Sequence, residues 1–166
     1  MQNIPDPSRD GFTLIETVVA TGVLVTALAG IAQLFALSVR STREAGVQGT
    51  ALVAAQSKLE SLRSLLFTYG PAGEPVTDAA LSSSPSQSLA EDTSGFVDFL
   101  DPEGRVVESG DETKGTAFTR RWRILPLDHF VPEALVIEVC VYRYPADGLA
   151  PVSADACLAT VRARQP

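Results

Sequence analysis

Apolar and polar positions follow three successive patterns along this chain. Residues 17–39 contain no charged side chain, a run of 23 positions. A bilayer's hydrocarbon core takes about 20 apolar helical residues, so the run is long enough to span it. Beyond Arg40 the pattern becomes amphipathic. Leu52, Ala55, Leu59, Leu62 and Leu66 recur at spacings of three and four, which predicts one buried helical face. Glu60 and Arg63 form an opposite-charge pair on that helix, and Gly70-Pro71 supplies its stop. The expectation is one helix over 12–69, about 85 Å long at 1.5 Å per residue. Its part over 12–39 is apolar all round, and its part over 40–69 is apolar on one stripe.

The pattern then loses its period. Residues 70–95 are rich in Pro, Ser, Ala and Gly and read as a long surface loop. After them the period becomes two. Segments 96–100 and 105–108 flank Asp101-Pro102-Glu103-Gly104, where Pro suits the second turn position and Gly the fourth. Gly110 to Gly115 is a second turn. Segment 116–125 alternates, with Phe118, Trp122 and Ile124 on one face and Thr119, Arg121 and Arg123 on the other. Segments 134–144 and 156–162 give the last two strands. The fold class is therefore α+β: a long N-terminal helix whose second half packs across an antiparallel sheet of about four strands, with residues 70–166 forming the β domain.

Charge narrows the range of partners. The 166-residue chain carries a formal net charge of −7, a balance that repels nucleic acid unless basic residues are concentrated locally. Arg120, Arg121 and Arg123 with Trp122 offer cations and a stacking ring, but alternation separates Trp122 from Arg121 and Arg123. A solvated strand face is the expectation, and nucleic acid is not an expected partner. Asp98, Asp101 and Glu103 match no complete calcium loop and read as a hairpin turn. His129 is the only histidine, with no nucleophile or carboxylate near it in sequence. No catalytic residue, cofactor-binding motif or metal site is read, and the chain is not expected to be an enzyme.

The N-terminus carries the most specific signal. A secretory signal has a basic start, a short apolar stretch and a small-residue cleavage site after it. Here the leader, residues 1–11, sets Arg9 against Asp6 and Asp10, and the apolar run is longer. Cleavage after Ala36-Leu37-Ser38 and a plain single-pass anchor are two readings of such a run. Neither accounts for Gly11-Phe12-Thr13-Leu14-Ile15-Glu16, with a carboxylate at the head of an apolar helix. Alone, Glu16 would complement the helix dipole.

This hexapeptide, followed by the long apolar run, resembles the processing signature of the type IV pilin and type II secretion pseudopilin family. The resemblance implies a pilin-like fold and cleavage by a prepilin peptidase after Gly11. It also implies N-methylation of the new terminus on Phe12, and a docking role in filament assembly for Glu16. The partners it implies are other pilin subunits, the prepilin peptidase and an inner-membrane assembly platform. The implied location is a single-pass inner-membrane state, then an extracytoplasmic filament. Leu59-Glu60-Ser61-Leu62-Arg63 and Thr119-Arg120-Arg121-Trp122 look like minor pilins or pseudopilins, subunits that prime or tip assembly. A major pilin, a tip module for adhesion or DNA uptake, and an unrelated membrane protein are the alternatives. Cys140 and Cys157 lie on strands that an antiparallel hairpin could set opposite each other, or they could remain core thiols. The resemblance favours a disulfide.

Overall fold

The structure, a computed structural model, describes residues 13–107, 115–127, 133–144 and 153–165. It divides near Glu44 into two compact units. One helix, α1 (Leu14–Arg63), begins in the first unit and ends in the second. Within the first unit every described side chain is exposed. An 18-residue window of α1 has a mean hydropathy of 2.1 with none of it buried, so the helix is long and apolar enough to cross a membrane. Its threonines hide their hydroxyls. Thr17, Thr21 and Thr26 donate to the carbonyls of Thr13, Thr17 and Gly22 at 3.3, 2.7 and 3.1 Å, which suits a surface facing something other than water.

The second unit holds the sheets. β1 (Phe67–Tyr69) and β2 (Pro75–Thr77) form a small hairpin, and a 3₁₀ turn follows at Ala79–Leu81. β3 (Val97–Leu100), β4 (Phe118–Leu127), β5 (Ala134–Arg143) and β6 (Ala156–Ala163) form a four-stranded antiparallel sheet in chain order. This is the expected α+β, pilin-like arrangement. The last part of α1 supplies Ala51, Ala54, Ala55, Leu59 and Leu62 to the core, which they share with Phe118, Trp122, Ile124, Ile137, Val139 and Val141. On β4 the even-numbered residues make this core face, as the alternation predicts.

Expectations about the helix end, the Gly70-Pro71 stop, the buried stripe and one strand are corrected. The helix stops at Arg63, six residues before Tyr69, because its last carbonyls find other donors: Ser64 Oγ donates to the Ser61 carbonyl at 2.8 Å, and the Arg162 guanidinium donates to the carbonyls of Leu62 and Leu65. Gly70-Pro71 instead starts the β1–β2 turn, closed by Gly73 N–H to Gly70 O at 2.9 Å with Gly73 at φ 81°. The buried stripe is rotated from the one expected. Leu52 and Leu66 are 47% and 62% exposed, and alanines at 51 and 54 face the sheet in Leu52's place. Finally, segment 105–108 gives only a bridge from Val106 to Leu100 among the described residues, although the Asp101 turn forms as expected, with Gly104 N–H to Asp101 O at 3.0 Å.

The 70–95 segment is no loose loop. Leu81 and Ser88 are fully buried, and Ser84 extends the edge of β4, exchanging bonds with Ile124 at 3.0 Å in each direction. Asp92 and the Ala90 carbonyl each accept from Arg121 at 2.8 Å. Arg121 is therefore buried beneath the segment, contrary to the solvated face expected of it. Arg123 pairs with Glu138 across the β4–β5 ladder.

Arg120 ties the sheet to the helix. Its Nη1 donates to the Ala54 carbonyl at 2.9 Å, and its Nε and Nη2 donate to Asp98 Oδ2 at 3.1 and 2.6 Å. Lys58 reaches the same carboxylate at 3.2 Å and lies 3.6 Å from the centre of the Trp122 ring. Asp98→Ala strips the buried Arg120 of its anion and should cost about 3–5 kcal/mol in urea unfolding. Lys58 tests the same cluster through pH. Burial lowers its pKa below 10.5; Asp98 opposes the shift and Arg120 adds to it. The unfolded chain thus holds this proton more tightly, and the fold gains stability as pH rises from the depressed value towards 10.5. Across that window the native chain should gain stability relative to Lys58→Met, read as the difference between urea midpoints.

Candidate functional site at the head of the apolar helix

The first turn of α1 is built by Thr13. It precedes the helix and its Oγ1 accepts the Glu16 amide at 3.4 Å, while its carbonyl accepts the Thr17 amide at 3.2 Å. Thr13 is thus the N-cap and Glu16 the third helical residue, the Thr-x-x-Glu spacing of a capping box. That spacing is legible in sequence, but the role of Thr13 was not anticipated. Glu16 is exposed, with Leu14 at 84% and Ile15 at 72% exposure beside it. A carboxylate fixed at the start of an exposed apolar helix can complement the helix dipole and pair with a cation brought close to the helix end. Gly11 and Phe12, the expected cleavage and methylation residues, lie outside the described residues, as does His129.

Elsewhere the candidate residues have structural partners. Asp98 is committed to Arg120 and Lys58. Asp101 Oδ1 accepts the amides of Glu103 and Arg105 at 3.0 and 2.8 Å within its turn. Among the described residues, no three metal-ligating side chains gather. Arg120, Arg121 and Arg123 each face a carboxylate, so these three arginines offer no free cationic patch.

Cys140 and Cys157 face each other in the β5–β6 register and are joined by a disulfide, with Cα atoms 4.1 Å apart. Cross-strand pairs that exchange no backbone hydrogen bonds come closest, which suits this bridge. The link closes a 17-residue separation and removes about 3 kcal/mol of unfolded-chain entropy. Thiol labelling of unfolded, unreduced protein should find no free cysteine; two labelled thiols would contradict the bridge. In comparisons with known proteins, the chain matches no family model, no curated protein and no solved structure.

Proposed function

We propose that this chain is a structural subunit of a type IV pilus or a related type II secretion-like filament, of the minor kind that primes or tips assembly. The observation that carries the reading is Glu16 on its capped first turn, within the Gly11–Glu16 hexapeptide and at the head of a helical run whose side chains are all exposed. Apolar surface costs about 25 cal/mol per Å² in water. Lipid covers that run first, and neighbouring helices cover it after assembly.

In this reading a prepilin peptidase hydrolyses the Gly11–Phe12 bond on the cytoplasmic side, and the new Phe12 amine is methylated. Glu16 pairs with that cationic terminus when the subunit leaves the bilayer at the assembly platform and enters an apolar filament interior, where an unpaired charge is expensive. The Cys140–Cys157 disulfide supports an extracytoplasmic β domain, since such bonds persist in oxidising compartments.

The intact mass of the protein from cells should correspond to a chain starting at Phe12 with one methyl group. An N-terminus at Met1, or beyond Ser38, would reject the reading; an uncut protein held in the membrane is a plain anchor. Gly11→Val should block processing.

Glu16→Val should be cut and retained in membranes, because losing a carboxylate improves the spanning segment. It should nevertheless be depleted several-fold from sheared filaments. Entry at the native level would leave Glu16 only a dipole-complementing residue.

A further inference from the structure

β6 ends one side of the four-stranded sheet, and the register shows which of its backbone groups point outward. In an antiparallel ladder, facing residues alternate between pairs that exchange two hydrogen bonds and pairs that exchange none. The Arg164 amide bonds the Glu133 carbonyl at 2.9 Å, one step beyond the Ala163–Ala134 pair. Even-numbered residues of β6 therefore bond β5, and Ala159, Val161 and Ala163 turn their amides and carbonyls outward. Gln165 continues the odd series: its amide donates to the Phe67 carbonyl at 3.2 Å, and its carbonyl accepts the Tyr69 amide at 3.1 Å. β1 thus already occupies the far end of this edge. Among the described residues, nothing takes the outward groups at 159, 161 and 163.

Protein sheets blunt such edges with proline, lysine, a bulge or a covering element. Over Ala156–Ala163 there is no proline or lysine, and the exposed side chains are small or aliphatic. The one charge, Arg162, is turned to the carbonyls of Leu62 and Leu65. The disulfide holds β6 to β5, so an incoming strand meets a fixed template. Beside Val161, Ala163 and Gln165 runs an open cleft of about 430 Å³, walled by Arg63, Leu66 and Arg162 and without an acidic residue in its lining. Arg63 and Arg162 are the charges lining this cleft. Arg63 also meets Glu60 at 3.2 Å in an exposed pair, which a closer carboxylate can share or replace. A neighbouring chain with the same formal charge of −7 would bring carboxylates to the cleft.

We propose that this edge accepts an extended, carboxylate-bearing strand from a neighbouring subunit, which adds to the sheet beyond β6 and sets its acid against Arg63 and Arg162. Main-chain bonds supply affinity in such strand addition, and alternate side chains supply selectivity. Burial, and secondarily the neighbouring Arg63, lowers the Arg162 pKa, a direction that an anion set beside it would oppose. That the partner is a filament subunit rests on the function proposed above, but the edge pairing does not.

The test uses the full chain in detergent micelles, with amide hydrogen exchange read residue by residue. The probes are a capped Val-Glu-Val-Glu-Val peptide and its Val-Lys counterpart. The Val-Glu peptide should slow exchange at Ala159, Val161 and Ala163 by about tenfold, leave Thr160 and Arg162 unchanged, and outcompete the Val-Lys peptide. Val161→Pro removes one outward amide without touching the β5 ladder, so it should keep the disulfide and the thermal transition while losing the peptide. Should proline disturb the fold, Arg63→Glu, at an exposed position, should abolish the preference for the acidic peptide. No protection at saturating Val-Glu peptide, equal protection by both peptides, or an unchanged preference in Arg63→Glu overturns the proposal. An unprocessed N-terminus in cells would defeat the filament reading while leaving the exchange result standing.

Discussion

The governing constraint is that one helix must satisfy two different surroundings. Fully burying a Val, Leu, Ile or Phe side chain is worth about 1.5–3 kcal/mol, and residues 14–39 of α1 expose more than a dozen of them. Among the described residues nothing covers this stretch, since none of its side chains is buried. From Ala51 onward the same helix is covered by its own sheet. A soluble origin for the first stretch would need another apolar partner. In the function proposed above, a bilayer and then a bundle of like helices supply such cover, and Glu16 is the one acidic or basic side chain in the described helix before Arg40.

Arginines do much of the joining in the second unit. Arg120 bonds the Ala54 carbonyl from beneath the helix, and Arg162 satisfies carbonyls at the helix end. Arg164 donates to the carbonyls of Thr68 and Val76 at 3.1 and 2.9 Å, holding the β1–β2 hairpin, and lies 4.0 Å from the centre of the Phe67 ring. A planar guanidinium with five donors can serve carbonyls and a carboxylate together, as Arg120 and Arg164 do. Alanines at 51, 54 and 55 keep the buried helix face slim, which lets an arginine from the sheet reach a helix carbonyl.

Much of this was legible in the sequence. The charge-free run, the alternation of Phe118, Trp122 and Ile124, and the Asp101 turn each depend on neighbours a few residues away, and all appear as expected. What failed depends on distant partners. Leucine spacing chose Leu52 over Ala51 because hydrophobicity scales weigh side-chain size, whereas the sheet required a close approach. Near Arg63 only the Ser64 hydroxyl marks the end of the helix, and the carbonyls of Leu62 and Leu65 are satisfied by Arg162, about a hundred residues away. Arg121 looked solvated for the same reason: Asp92, which buries it, sits in a segment without periodicity. At the candidate site, Glu16 was found through its hexapeptide, while the capping role of Thr13 was written in its spacing and not used.

In the proposed function the exposed run of α1 exchanges lipid for neighbouring helices. A nitroxide at Val23 or Leu28, in the full chain, measures this directly through its collisions with oxygen and with a water-soluble nickel complex. In membranes the label should be accessible to oxygen and shielded from nickel. In sheared filaments it should be shielded from both. Nickel access in the membrane state, or unchanged oxygen access in the filament fraction, would mean that the run does not pass from lipid into a helical bundle.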